Sequence, residues 1–247
     1  MKVFRAIRKK QLLSGKTKNH IVYALGEILL IVIGILIAWK INDLNEIRKN
    51  KIVQEKIYQS LYEELHTNLE VLDSSLLQYN NSSASLQKTL NFVGLDSLSK
   101  ADKDVIILVN FKSANLRNEA LSSVNFTDKF QFLENDTLAE LIAEYPSELK
   151  SFQEQELKIK NIVNNRLKPV LEEHLSLIDI LPEVNNNYNQ IRTYGQKSNY
   201  SALLNCKEYQ NSIIDQLLQT KIQLNITMNL RKKTQILSIK LKQELED

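Results

Sequence analysis

Glycine and proline are scarce in this chain, five and three of 247 residues, about a quarter of their usual combined share. Sheets turn on those residues, so a sandwich or barrel of many hairpins is excluded. A glycine-rich phosphate loop, a collagen-like repeat and a flexible linker protein are excluded for the same reason. Cysteine occurs once, as Cys206, which rules out a disulfide framework and a multi-cysteine metal site. A lone thiol is compatible with either side of a membrane. What remains is 43% hydrophobic and 25% charged, the composition of a chain whose default is long helices.

Charge is divided along the sequence. Residues 1–20 hold Lys2, Arg5, Arg8, Lys9, Lys10, Lys16 and Lys18 and no acid. In residues 21–40 Glu27 and Lys40 cancel, so residues 41–247 carry 24 basic and 28 acidic residues, a net −4. A nucleic-acid-binding domain would gather its Lys and Arg on the folded part, so no nucleic-acid partner is expected.

The basic tip abuts Ile21 to Trp39, IVYALGEILLIVIGILIAW, which has Glu27 as its only charge. At about 1.5 Å per residue the run spans about 28 Å, close to a bilayer's hydrocarbon core. Tyr23 and Trp39 stand near its ends, where aromatic rings anchor at interfaces. A cleaved signal peptide would have a shorter apolar region and a small-x-small site, and Leu36 two residues before Ala38 makes that site poor. The reading is an uncleaved single-pass anchor. Lys and Arg excess stays cytoplasmic, which places the N-terminus inside and residues 41–247 outside, in the periplasm of a bacterium. Phe4, Ile7 and Leu12 among the basic residues read either as a short interfacial helix on anionic lipid or as a disordered basic tail.

The span has a face. At 100° per residue Tyr23, Glu27, Gly34 and Ala38 fall within about 60° of one another. Gly34-x-x-x-Ala38 is a small-x-x-x-small pair, which lets two helix backbones approach closely. A carboxylate facing lipid is costly unless it is neutralised, snorkels or finds a partner. The stripe is therefore the candidate contact with another membrane helix, a second copy or another protein. A snorkelling acid beside incidental glycines is the plainer alternative.

Beyond the span, Ile57, Leu61, Leu65, Leu69, Leu72, Leu76 and Tyr79 recur at three and four, an amphipathic helix over Leu44–Tyr79. Nothing between Gly34 and Gly94 breaks it, so it can run on from the span, with Asn80–Ser83 weakening or kinking it. Leu86, Leu90 and Val93 extend the pattern. A turn region at 94–103 precedes an expected helix over 104–116, and residues 118–135 read as irregular. Thr137 with Glu140 reads as a capping box opening a short helix that Pro146 stops. A long helix from Ser147 to Leu181 should kink near Lys168, because Pro169 lies inside it. Asn185–Ser198 reads as a polar loop, and a last helix runs from about Ser201 to Glu246. Ile222, Leu224, Ile226, Met228 and Leu230 alternate as a strand would, but Leu217, Leu224 and Met228 share a helical face and the length favours helix. The expected fold is all-α: a basic cytoplasmic tip (1–20), a transmembrane helix (21–40) and an extracytoplasmic antiparallel helical bundle (41–247), about 45–60 Å long.

YALGEILLIVIGILIAWKINDLNEIRKN resembles the N-terminal signature of an uncharacterised family of small single-span membrane proteins from Bacteroidota, with Leu44-Asn45-Glu46 where that family more usually has Trp. FQFLENDTLAELIAEY resembles the family's later element, a turn into a short helix. The first match covers roughly 30 residues and the second is weaker. The resemblance implies membrane anchoring and a Gram-negative envelope setting, and it implies no activity.

Residues able to do chemistry are few. Glu63-x-x-His66 has the spacing used in di-iron bundles, which need a second such pair and two further carboxylates. His20 and His174 lack that spacing, so no metal or other cofactor is expected. Cys206 lacks a sequence-adjacent base and reads as a small apolar residue. There is no nucleophile elbow, zinc-protease motif or dinucleotide fingerprint. The carboxylates read as solvated helix faces and the tyrosines as structural. Asn185-Asn186-Asn187-Tyr188 with Tyr194 and Tyr200 is either a partner surface or a solvent loop. The expectation is a membrane-anchored interaction or scaffold protein of the envelope, not an enzyme. The alternative is an extracytoplasmic ligand or stress sensor relaying through its span to a cytoplasmic partner.

Overall fold

The computed structural model describes residues 17–95, 97–107, 110–125, 132, 133, 135–182 and 186–246. The proposed interfacial helix of the tip, Phe126, Phe130 and Asn185 lie outside these residues. The chain is 86% helical, with no strand among the described residues. It divides into two units, residues 1–55 and 56–247.

Helix α1, Thr17–Leu90, begins in the first unit and ends in the second. In the first unit the apolar run is one unbroken stretch of it, and none of its most apolar 18-residue window is buried within the molecule. A core helix of a soluble protein would bury that surface. α1 is thus a candidate membrane span continued by a helical region. It stays helical through Asn80–Ser83, where a kink was expected. Tyr79 before and Leu86 after these residues are buried, and packing on either side holds them in register. Past Leu90 the chain turns at Gly94, whose φ of +85° is the left-handed value that ends helices.

In the second unit a long crossover follows. α2 is Lys100–Ile107 and α3 is Glu119–Asn125, where a helix over 104–116 and an irregular stretch had been expected. α2 starts early because Ser99 caps it, its hydroxyl accepting from Asp102 N at 3.2 Å and donating to the Asp102 carboxylate at 2.6 Å. Residues 110–118 are not helical and run back along α1. Gln78 of α1 bonds to Lys112, Asn68 to Arg117, and Glu64 to Ala120 and Leu121. The descending α1 numbers against ascending partners fix the return direction.

α4, Asp136–Ile162, is capped by Asn135, whose side chain accepts from Leu138 N at 3.0 Å. The expected Thr137–Glu140 box lies exposed within its first turn. Pro146 does not stop α4, because Ile142, Tyr145, Leu149 and Phe152 are all buried around it, and packing outweighs one lost backbone bond. A π-turn, Val163–Leu167, stands where a kink was expected and passes into α5, Lys168–His174. That segment ends at His174, not at Pro182: Leu175 is extended and Asn199 N donates to His174 O at 2.8 Å. A 3₁₀ turn, Leu177–Ile180, stands where the long helix had been expected to continue, and the expected polar loop holds a 3₁₀ turn at Asn186–Tyr188 and a helix α6, Asn189–Tyr194. The last helix is two, α7 (Tyr200–Leu204) and α8 (Lys207–Glu246). Asn205 and Gln210 side chains cap the carbonyls of Ser201 and Leu204 between them.

α8 runs antiparallel to α4: Asn135 meets Glu244, Tyr145 meets Thr234, and Arg166 meets Asp215. It also runs antiparallel to residues 56–90, with Arg231 on Asp73. α1 and α4 run the same way, Tyr79 meeting Glu156, because the long crossover lies between them. Two apolar clusters form the core. One joins Leu61, Leu65, Leu72 and Tyr79 to Ile142, Phe152, Leu230 and Leu237. The other joins Leu86, Phe92 and Ile106 to Leu167, Leu203, Ile213 and Leu217.

The inward face of α8 carries Ser212, Gln216, Thr220, Gln223, Thr227 and Thr234, all buried. Ser212, Thr220, Thr227 and Thr234 hydroxyls bond the carbonyl four residues back, at 2.6–2.7 Å, so they enter the core already satisfied. Ile222 and Met228 point outward instead, Leu224 is half-buried, and the alternating stretch is helix throughout.

Candidate functional site

Glu27, Gly34 and Ala38 sit on one stripe of α1 and are exposed. A Cβ added at Gly26 or Gly34 would meet nothing within 4 Å. Tyr23 is on the same helix, and its side chain lies outside the described residues. The stripe is therefore free of intramolecular contact at Gly34.

The metal candidates are not assembled. Glu63 accepts from Gln59 at 2.7 Å, and exposed His66 lies 3.9 Å from Glu70 of its own helix. No group of three or more metal-ligating side chains occurs among the described residues. Cys206 is half-buried against the second apolar cluster and its thiol donates to Glu208 at 3.1 Å.

Two carboxylates depart from the sequence reading of solvated faces. Glu64 and Glu156 are buried, 6% and 4% exposed. Glu64 accepts from the backbone N–H groups of Ala120 and Leu121 at 2.7 and 3.2 Å, so it caps α3. Glu156 accepts from the Tyr79 hydroxyl at 2.5 Å and from Ala114 N at 2.7 Å. Burial pushes both carboxyls above the ordinary glutamate range, against the opposing pull of these donors. Burial pushes the Tyr79 hydroxyl that donates to Glu156 far up, and pushes Tyr145, bonded to Thr234 at 2.7 Å, up to about 12. The missed signal for Glu64 was its register, three residues after Leu61 and four before Asn68 on the buried stripe. Glu156 has the same register on α4, four residues after Phe152 and three before Ile159, although its partner Tyr79 is remote in sequence.

A groove of about 460 Å³ is lined by Lys100, Lys103, Asp104, Ile178, Asp179, Arg192, Gly195, Gln196, Lys197, Ser198 and Tyr200. Its wall is a closed loop. Asn199 N bonds His174 O, and Ser198 Oγ accepts from Ser176 N at 2.8 Å, which joins residues 174–176 to 198–199. Tyr200 donates to Asp179 at 2.8 Å across the loop, and burial with this bond raises its pKa. Lys103 of α2 lies over the Tyr200 ring, 5.3 Å from its centre. Arg192 of α6 donates through Nη2 to the carbonyls of Leu181 and Pro182 at 2.5 and 2.7 Å. Its Nε–H is buried with no hydrogen-bond partner among the described residues, which costs about 1–3 kcal/mol when left unmade. Gly195 is required by space: a Cβ there would collide with Ile178 and the Ile191 carbonyl. Of the expected aromatic surface, Tyr194 is 82% exposed and Tyr200 is half-buried in this wall.

A second groove, about 330 Å³, is lined by Ser82, Ser85, Leu86, Thr89, Asp104, Val105, Asn110 and Gln216. The side-chain oxygen of Gln216 is buried without a hydrogen-bond partner among the described residues. Neither groove holds a nucleophile–base pair or a cluster of metal ligands among the described residues.

No known family profile, no characterised protein and no solved structure matches this chain.

Proposed function

We propose that this is a single-pass, membrane-anchored interaction protein of a bacterial envelope, with its N-terminus cytoplasmic and its helical bundle on the far side. The observation that carries the reading is the exposure of the apolar run. It is long enough to cross a bilayer and none of it is covered by the rest of the chain, so lipid or another helix must cover it. The basic tip before it supports the orientation. The exposed Glu27, Gly34 and Ala38 stripe supports contact with a second span. The resemblance of residues 23–50 to a Bacteroidota envelope family agrees with both. The bundle has the character of a binding module more than of an enzyme, since its buried carboxylates are spent on backbone donors.

A reporter active only in the periplasm, fused after Asp247, tests the orientation. Activity there supports it, and activity of a cytoplasm-only reporter at the same site overturns it. Crosslinking in membranes followed by purification of the full chain tests the interaction reading: discrete crosslinked species through the span support it, and a lone monomer overturns it. The sensor reading is favoured by one observation, the basic groove beside α2.

A further inference from the structure

We propose that the outer face of α8 is a docking seat for an acidic amphipathic helix of a partner protein. Six large apolar residues of α8 stand exposed: Ile214, Leu218, Ile222, Met228, Ile236 and Ile239. At 100° per residue they fall within about 120° of one another. From first to last they run about 38 Å along the helix. The helices packed against α8 are different. Among the described residues, 56–90 of α1 expose one such side chain, Leu77, and α4 exposes one, Leu157. Scattered apolar residues are ordinary on a surface, but a contiguous row marks a contact. α8 also buries Ile213, Leu217, Leu230, Leu237 and Leu241 against the bundle. A helix apolar on two faces is one that is covered on two, and the chain covers one of them.

Charge selects the occupant. Lys221 and Lys232 are exposed on the same arc. The cations on its flanks are matched within the chain, Arg231 by Asp73 and Lys233 by Glu148. No ion pair among the described residues engages Lys221 or Lys232. The single acid between Ile214 and Ile239, Asp215, lies outside the arc and pairs with Arg166. A second copy would bring lysine to lysine. In parallel pairing Lys221 and Lys232 each meet themselves, and in the antiparallel pairing that sets Ile214 against Ile239, Lys221 meets Lys232. Like charges so opposed disfavour both arrangements. A lipid surface fits no better. Helices that lie in it carry aromatic side chains on the apolar face, and residues 214–239 contain no Trp, Tyr or Phe. Sinking the row into the headgroup boundary would also draw the Arg231–Asp73 and Lys233–Glu148 pairs out of water. A partner helix with apolar residues at i, i+3, i+4 and i+7 seats its ridge along the row. Lys221 and Lys232 are about 16 Å apart along α8, so Asp or Glu about three turns apart beside that ridge answers both.

The seat deepens the interaction reading but uses residues of the second unit alone, so its failure would leave the orientation and span tests standing. A fluorophore sensitive to its surroundings, attached through Asn229→Cys in a Cys206→Ser background of the full chain, reads the row directly. Asn229 is exposed beside the apolar residues. The probes are two synthetic helical peptides with leucine at the a and d positions, one flanked by Glu and the other by Lys. In neutral detergent the expected result is a saturable blue shift with the Glu peptide and none with the Lys peptide. Leu218→Ser, and Lys221→Glu together with Lys232→Glu, should each weaken that binding about tenfold or more. The double charge reversal should bind the Lys peptide instead. Leu157→Ser, on the outer side of α4, should change nothing. Helicity of each variant is measured alongside, and if the charge reversal unfolds the chain, Lys221→Gln with Lys232→Gln decides. A shift that grows with the concentration of the chain alone assigns a second copy and overturns the proposal. So does a shift in vesicles of phosphatidylglycerol that is absent in phosphatidylcholine, which assigns lipid. No binding of the Glu peptide, no preference between the two peptides, or binding indifferent to the α8 variants overturns it as well.

Discussion

The side-chain amide of Asn68 pairs with both backbone groups of Arg117: its Nδ2 donates to the Arg117 carbonyl and its Oδ1 accepts from the Arg117 N–H, each at 2.8 Å. A helix face thereby does what the edge of a sheet does, satisfying an extended segment whose own backbone has no ladder. Glu64 one turn before and Gln78 further on complete the row. This row allows a long crossover to lie against α1 with its polar groups paired, so α4 can start beside α1 and run parallel to it.

Asn68→Ala should therefore cost far more than an ordinary polar surface change. It leaves one part-buried donor and one part-buried acceptor of the Arg117 backbone unmade, about 1–3 kcal/mol in total. Asn68→Asp keeps the bond from the Arg117 N–H and sets a carboxylate against the Arg117 carbonyl, so it should be at least as damaging near neutral pH. Chemical denaturation of the full chain in detergent reads both. A loss below about 0.5 kcal/mol for Asn68→Ala, the scale of exposed sites, would show that the crossover is held by its apolar contacts alone.

Stability should rise as pH is lowered from neutral toward the ordinary glutamate range. Glu64 and Glu156 have raised folded-state pKa values, chiefly through burial. The folded state then holds protons that the unfolded state has released. Their stabilising contribution is fully present below the unfolded value and is lost as pH rises through the folded one. Asp73 and Asp102 have the opposite shift, from Arg231 and Lys88, and their contribution falls away only at lower pH. They are exposed ion pairs of small weight. Glu156→Gln keeps an acceptor for Tyr79 and Ala114, so it should flatten the rise. A thermal midpoint that falls steadily from pH 7 to 5 in the wild-type chain, unaltered in Glu156→Gln, would contradict this.

Periodicity made the long helices and the exposed span legible in the sequence, because Leu61, Leu65 and Leu72 or the run from Ile21 to Trp39 announce their surroundings within a few residues. The sequence misled where tertiary contacts override local signals. Pro146 would end an isolated helix, but Tyr145 and Phe152 are buried beside it. Residues 119–125 have little intrinsic helical pattern and become α3 where Glu64, some 56 residues earlier, caps them. The groove was hidden for the same reason. Lys103, Asp179, Arg192 and Tyr200 come from four separate elements, and only the closure of the 174–200 loop brings them together. The stripe on α1 was legible because one helix carries all of it.

Gly94 and Gly195 should respond differently to alanine. At Gly94 a Cβ has open space but φ is +85°, so the strain is in the backbone, about 1 kcal/mol. At Gly195 φ is −72°, an ordinary value, and the obstacle is the collision with Ile178 and the Ile191 carbonyl. Gly195→Ala should cost about 1–3 kcal/mol, as overpacking does. Shaving the far end of the neighbour with Ile178→Val should recover part of that loss, and should recover none of the loss at Gly94. Equal behaviour of the two variants with and without Ile178→Val would remove the steric role assigned to Gly195.

The span stripe gives a separate test, read by an in-membrane association assay on full-length variants. Gly34→Leu should reduce association, because a close crossing brings backbones to where only hydrogen or methyl fits. Ile33→Leu, about 100° round the helix, should matter little. Glu27 separates the polar half of the contact from the steric half. If a neutral hydrogen bond across the pair suffices, Glu27→Gln keeps association, and if a cationic partner is needed, it loses it. Glu27→Leu should lose association in both cases, by about 0.5–2 kcal/mol, the range of interhelical hydrogen bonds in membranes. The exposure of Gly34, with nothing within 4 Å of an added Cβ, makes the leucine variant informative: it has no contact inside the chain to disturb, so any effect arises between helices. Equal signals from Gly34→Leu, Glu27→Leu and wild type would mean that the stripe is incidental and that the span serves only as an anchor.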